Sequence, residues 1–480
     1  MKSRRDRNII ACLRIICLMF LSATSIIAQV DRSHPPEPLP SPGWSFGHNE
    51  RFTLSNGLKV IFVPSTVPLM MAHLQVAGGE SADGEKHGLA DMVRVMLDHG
   101  TTLRSVHKII RTRESLGILT FFSSDVRSID IGTIGLREYS DSLLDIFSDE
   151  IMHPMFPDGE WNVIKKWYGT GLRRQDNASQ QALFCFDSLL YGNSPYGHTM
   201  TVDDMNRITT ADLREFHRTY FVPSNATLVI IGDFSIDELK RKLESVFGEW
   251  KQAAVPSIPV PVFPAWQGRR VILVDRPASV QSSIRIVRRL PLPDREDRQR
   301  SIILEKILGG RSSGRLFMNL RELHGYTYGA YCLFGGDAFS EQFIAYADVR
   351  NAVTDSAITE MLSEITKVGT VPVSEDQLRR AVQQVEGEFY MSISQSIGLA
   401  DKLLYLSRNN LPEGYFQSML DINRTITPAD LMDLAHRYLN PDDLAIIVVG
   451  NASEIRPKLE KFGSVEIWKA DVGESQAGLK

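Results

Sequence analysis

An α+β fold of two duplicated domains, each with helices packed on a largely antiparallel sheet, is predicted by three observations. Strand-like and helix-like stretches mix without strict alternation, a segment from the middle of the 480-residue chain recurs near its end, and a proline cluster stands just past the midpoint. The recurring segments are Ile208 to Asp233 (ITTADLREFHRTYFVPSNATLVIIGD) and Ile426 to Asn451 (ITPADLMDLAHRYLNPDDLAIIVVGN). At a constant shift of 218, Ile208, Thr209, Ala211, Asp212, Leu213, Tyr220, Pro223 and Gly232 meet identical residues without a gap. Each copy reads as a capped helix, a proline-containing turn and a buried strand ending in Gly.

Along the first half, Phe52 to Pro64 reads as two strand pieces around Asn56-Gly57, a hairpin turn signal. Amphipathic stretches at Gly84–His99, Ser105–Leu116, Glu138–Met152 and Asp158–Arg174 predict helices, with strands at Phe121–Ser124 and Ser128–Ile134. Pro256, Pro259, Pro261 and Pro264 alternate with apolar residues and predict an extended linker. The expected organisation is a leader over 1–28, a proline-rich tether over 29–50, a first domain over 51–252, the linker over 253–268, a second domain over 269–466 and a tail over 467–480.

The leader has a basic start (Lys2, Arg4, Arg5, Arg7), a short apolar run from Ile15 to Ala23, and small residues at Ser25 and Ala28. That is the layout of a cleaved secretory signal, too short to span a bilayer. It predicts export to a periplasmic or extracellular space, with a mitochondrial presequence as the alternative because Arg14 interrupts the run. No longer apolar stretch follows, so no membrane attachment is expected after cleavage. Lys plus Arg is 53 and Asp plus Glu is 58, a net charge of −5, which excludes a dominant basic footprint for nucleic acid. Of four cysteines, Cys12 and Cys17 lie in the leader; Cys185 and Cys332 cannot make a disulfide framework or a thiolate zinc site. Gly309 to Leu316 approaches a phosphate-binding loop, but Arg315 and Leu316 stand where Lys and Ser or Thr are needed, so a turn between helices is expected.

Gly84 to Thr101 reads GEKHGLADMVRVMLDHGT. It resembles the insulinase/pitrilysin-like zinc metallopeptidases, in the two-domain form of the mitochondrial processing peptidases, whose helix carries His-x-x-Glu-His in a frame like G-x-A-H-x-x-E-H-M-x-x-x-G-T. The frame persists as Gly88, Ala90, Met96, Gly100 and Thr101. The resemblance places Asp91 at the first His, Arg94 at the Glu and Val95 at the second His. Two zinc ligands four residues apart share a helix face, with the carboxylate between them polarising the bound water. Val95 has no lone pair to give, and Arg94 is permanently cationic. The family's third ligand, a Glu in a helix that matches Asp158 to Arg174, falls near Thr170 and Gly171. No metal is therefore expected in this chain. A salvage pair could be built only from His87 and Asp91, with His99 nearby.

Ile303 to Tyr331 (ILEKILGGRSSGRLFMNLRELHGYTYGAY) resembles the same family's second domain, through Leu308, Gly309, Gly310, Leu316, Phe317, Leu320, Arg321, Glu322, Gly325 and Tyr328. There an Arg and a Tyr seven residues apart hold substrate, and they map onto Arg321 and Tyr328. A guanidinium can fork onto peptide carbonyls and a phenol can donate to a developing oxyanion. From spacing alone, Arg321 reads as a surface Arg beside a Glu, and Tyr328 as a core Tyr. The resemblance implies a non-zinc, substrate-holding subunit of an exported heterodimeric peptidase, inactive alone, with zinc in a homologous partner and peptides as substrates. The alternative is a structural or peptide-binding pseudopeptidase with no catalytic partner.

Overall fold

The computed structural model describes residues 43–174 and 177–468. The leader, most of the tether and residues 469–480 lie outside the described residues. Two six-stranded sheets form, and the chain is α+β. The first is built from β1 (Glu50–Thr53), β2 (Lys59–Pro64), β3 (Leu69–Ala77), β4 (Leu119–Ser124), β5 (Ser128–Leu136) and β6 (Ala226–Gly232), in the spatial order β1-β2-β6-β3-β5-β4. The second comprises β7 (Val271–Asp275), β8 (Gln281–Leu290), β9 (Thr327–Gly336), β10 (Glu341–Arg350), β11 (Ala445–Gly450) and β12 (Val465–Trp468), ordered β12-β7-β11-β8-β10-β9. From the second position onward the two orders correspond strand for strand. The edges differ: β1 is the antiparallel arm of the Asn56-Gly57 hairpin, whereas β12 arrives from the far end of the chain and pairs parallel to β7. It includes Ile467 and Trp468, which composition had assigned to the tail.

The recurring sequence has one structural meaning in both copies. Thr209 and Thr427 cap helices Thr210–Tyr220 and Pro428–Tyr438, each in a reciprocal box with Asp212 or Asp430. One-turn 3-10 segments at Pro223–Asn225 and Pro441–Asp443 then deliver β6 and β11, interior strands of the two sheets. Both carry four consecutive apolar residues, Leu228–Ile231 and Ile446–Val449, because both faces are buried there.

One face of each sheet is covered by helices of its own half. The other is covered by the opposite half. Helix Ser396–Arg408 sets Ala400, Leu403, Leu404 and Leu406 against Ile61, Val63, Met71, Val229 and Ile231 of the first sheet. Helix Ala178–Tyr191 sets Phe186, Leu190 and Tyr191 against Ile272, Val287 and Ile447 of the second. These helices begin 218 positions apart, so they are duplicated counterparts exchanged between halves. Trp44 and Phe46, at the end of the tether, join the first of these interfaces and make edge contacts with Phe389 and Phe416. No helix among the described residues is long and apolar enough to cross a membrane.

Candidate functional site

The helix that bears the emptied motif spans Leu89–Met96. It starts later than periodicity suggests because Gly88 takes a left-handed conformation (φ +85°), where a Cβ would lie 2.1 Å from the Met200 sulfur. Asp83 accepts hydrogen bonds from the N–H groups of Gly88 (2.6 Å) and Ala90 (2.7 Å). Burial pushes its carboxyl up to about 7, although those backbone donors pull the other way. Leu89, Ala90, Met92, Val93 and Met96 are buried in the core, and Val95 packs against it.

On the polar side of this helix, Arg94 donates from Nε to Asp91 Oδ1 at 2.8 Å, and its Nη2 stands 2.8 Å from the same oxygen. Nη2 also donates to the Tyr168 hydroxyl (3.2 Å), and Ser124 of β4 donates to Asp91 Oδ1 (2.9 Å). Burial works against the Arg94 charge, but Asp91 outweighs it and holds the guanidinium above its ordinary range. Burial, followed by the Asp91 charge, raises the Tyr168 phenol. A self-contained cation thus stands beside the one carboxylate that could have served as a ligand. These residues do not fit a zinc ion, which needs lone pairs where Arg94 presents charge and Val95 presents methyls.

Thr170 and Gly171, at the expected third-ligand slot, are exposed, and Thr170 Oγ1 donates back to Lys166 O (2.8 Å). The residue of helix Asp158–Arg174 that reaches the motif helix is Tyr168, which sequence reasoning missed. Its signal was position alone: three residues before Gly171, it shares that residue's side of the helix and not that of Thr170. His87 and Asp91 do not form a pair. His87 stacks on His198 (3.6 Å between centroids) while Asp91 is taken by Arg94, and His99 faces Glu160 (3.4 Å). Among the described residues no group of three or more His, Cys, Asp or Glu side chains is arranged to hold a metal ion.

In the second half, Arg321 lies in a π-helical turn, Met318–Leu323, and Tyr328 on β9, an edge strand. The guanidinium carbon is 4.8 Å from the Phe317 ring centre and 5.8 Å from that of Tyr328. The nearest carboxylate is Glu322, 3.6 Å from Nε. Tyr328 is 92% exposed, the opposite of a core tyrosine. It sits at a bulge: Thr327 and Ala330 pair with Val349 and Ala347, so two β9 residues oppose Asp348 alone. In the first half Arg113 precedes Gly117 by four residues, as Arg321 precedes Gly325, and both glycines are left-handed (φ +64° and +62°). Arg113, however, lies in a regular helix and is ion-paired with Glu150 and Asp98. Helix Thr354–Thr370 starts 214 positions after helix Ser140–Met152, which makes the buried Glu364 the counterpart of Glu150; Glu364 accepts from Asn319 (3.0 Å) and pairs with Lys367 (2.7 Å), and Arg321 is left half-exposed. No hydrogen bond, ion pair or ring contact among the described residues joins Arg321 or Tyr328 to the Arg94 cluster.

Comparison with known proteins gives a consistent result. Residues 207–385 match the family described as the peptidase M16 inactive domain. The chain is 22% identical over 410 residues to an uncharacterized zinc protease of Rickettsia felis, covering 83% of this chain and 97% of that one. It is 19% identical over 393 residues to the non-peptidase homolog YmxG of Helicobacter pylori, covering 80% of this chain and 90% of that one. A crystal structure of a peptidase M16 inactive domain from Pseudomonas fluorescens superposes with a TM-score of 0.76 at 23% identity, over 84% of this chain and 98% of the other.

Proposed function

We propose that this chain, which resembles the peptidase M16 inactive domain over residues 207–385 and lacks the zinc motif, is a pseudopeptidase that acts as the substrate-holding subunit of an exported heterodimeric metallopeptidase. A homologous partner supplies zinc and the general base. This chain supplies Arg321 and Tyr328, which grip the peptide backbone. The observation that carries the reading is the contrast between the two arginines. Arg113 is spent on Glu150 and Asp98, while Arg321 lies beside the Phe317 and Tyr328 rings, is 43% exposed and has only the exposed Glu322, 3.6 Å from Nε, as an ion-pair partner among the described residues. A guanidinium held beside aromatic rings keeps its planar donor fork ready for a carbonyl. The π-turn and the bulge that flank the pair are irregularities that re-aim side chains and concentrate at working positions. Export rests on the basic-apolar-small layout of the leader.

The test is co-purification of the chain from its native host, followed by a peptidase assay with and without chelator. A zinc-bearing homologue should co-elute, and cleavage should require both chains. If the protein elutes without a homologous partner yet still binds peptides, the alternative holds: a peptide-binding pseudopeptidase with no catalytic partner.

A further inference from the structure

Between the halves lies a cavity of about 780 Å³, on the side of the first sheet that meets the exchanged helix. Its floor is apolar, with Phe121 from the first half and Phe389, Phe416, Met419 and Leu420 from the second. Its volume suits a small organic ligand. Its polar wall centres on His73 of β3, which is 2% exposed. Nε2 of His73 is 3.3 Å from Asp130 Oδ1, and Nδ1 is 3.4 Å from Asp401 Oδ1, so carboxylates from both halves face both ring nitrogens.

Neither approach has hydrogen-bond geometry, so both ring nitrogens are buried without a hydrogen bond. Asp130 is provided for by Gln75 (2.9 Å) and Ser128 (2.8 Å). Asp401 takes no hydrogen bond from His73, and its side chain lines the cavity at 56% exposure. The other wall charges cancel. Arg408 pairs with Asp125 (2.9 Å), Arg298 with Glu341 (3.2 Å), and Glu388 with Arg311 (2.8 Å). Lys402 lies over the Phe416 ring, 5.4 Å from its centre, and forms no ion pair among the described residues. Set against Asp130 and Asp401, it leaves one more carboxylate than side-chain ammonium or guanidinium groups on this part of the wall. One further polar group on the wall, the Ser301 hydroxyl, is buried without a hydrogen bond. Groups left so are where a ligand or a bound water belongs.

We propose that this cavity binds an apolar molecule bearing a protonated amine, with the ammonium at Asp401 and the apolar body on Phe389 and Phe416. A peptide N-terminus with a large apolar first residue has this chemistry. The site needs no partner chain, so its failure would leave the heterodimer reading standing.

The test is isothermal titration of the purified chain with three probes of nearly one shape: phenethylamine, phenylacetate and phenethyl alcohol. The amine should bind about tenfold tighter than either of the others, the scale of one charge-assisted contact. Asp401→Asn should remove that preference. Ile397→Trp, at a partly exposed position on the cavity wall, should block all three probes and serves if the first variant does not fold. Binding of the acid as tightly as the amine, an amine preference that survives Asp401→Asn, or no heat with any probe would each overturn the proposal.

Discussion

The Arg94 guanidinium lies against a single oxygen of Asp91, three residues earlier on the same helix, with both Nε and Nη2 at 2.8 Å. Four positions along a helix is the spacing that lets two side chains close on one metal ion. Here the pair three apart closes on itself, and the position four along is Val95, a partly buried side chain packed against the core.

Removing that cation should cost stability rather than activity. Arg94→Leu leaves a half-buried carboxylate with Ser124 as its remaining donor, and should destabilise the fold by about 1–3 kcal/mol. Urea denaturation of the variant against the parent measures this. A change within error would show that the cluster is not structural.

The exchanged helices predict cooperativity across the halves. Leu403→Ala and Leu190→Ala each empty a fully buried position on the opposite sheet, and each should cost about 2–5 kcal/mol. Because each helix completes the other half's core, unfolding followed by fluorescence and by circular dichroism should give coincident transitions in both variants. Two separated transitions would mean that the halves fold independently.

Stability should decline with rising pH through the neutral range. Burial, then the charges of Asp91 and Asp125, push Glu80 up to about 7, and burial, then Glu80, does the same to Asp187. Both carboxyls hold protons in the folded chain that they would release at about pH 4 when unfolded. Unfolding therefore releases protons between about pH 4 and 7, and this contribution is full below that window and lost as pH rises through 7. Asp187→Asn should flatten the decline and raise the midpoint of thermal unfolding at pH 8 by about 2–4 °C. A thermal scan series from acid to alkaline pH checks it; an unchanged slope would contradict it.

Arg321 and Tyr328 should separate function from folding. Tyr328 is nearly fully exposed, so Tyr328→Phe should shift stability by no more than about 0.5 kcal/mol. In the reconstituted heterodimer, Arg321→Ala or Tyr328→Phe should depress turnover about tenfold or more, the scale of a lost transition-state donor, while the chains still co-elute. Unchanged kinetics in both would remove the assigned role.

What the sequence disclosed follows from the range of the forces involved. Thr209 with Asp212, Thr427 with Asp430, and the prolines after each helix are local chemistry, so the recurring helix-turn-strand could be read residue by residue. The emptied motif was equally plain, because Val95 and Arg94 carry their incompatibility in their side chains. Long-range choices left no such mark. Helices Ala178–Tyr191 and Ser396–Arg408 each carry an apolar face, and nothing local says that this face belongs on the other half's sheet. Tyr168 carries no local mark of its contact with Arg94, 74 positions earlier, and Asp401 none of its approach to His73. Tyr328 read as a core residue from spacing because a bulge, invisible in composition, turns it outward.

The most direct measurement is the zinc content of the purified chain by elemental analysis, coupled to a peptidase assay on the same sample before and after chelation. The account predicts well under one zinc per chain and no chelator-sensitive cleavage until a homologous partner is added. One zinc per chain, with peptide cleavage that chelation abolishes, would contradict it.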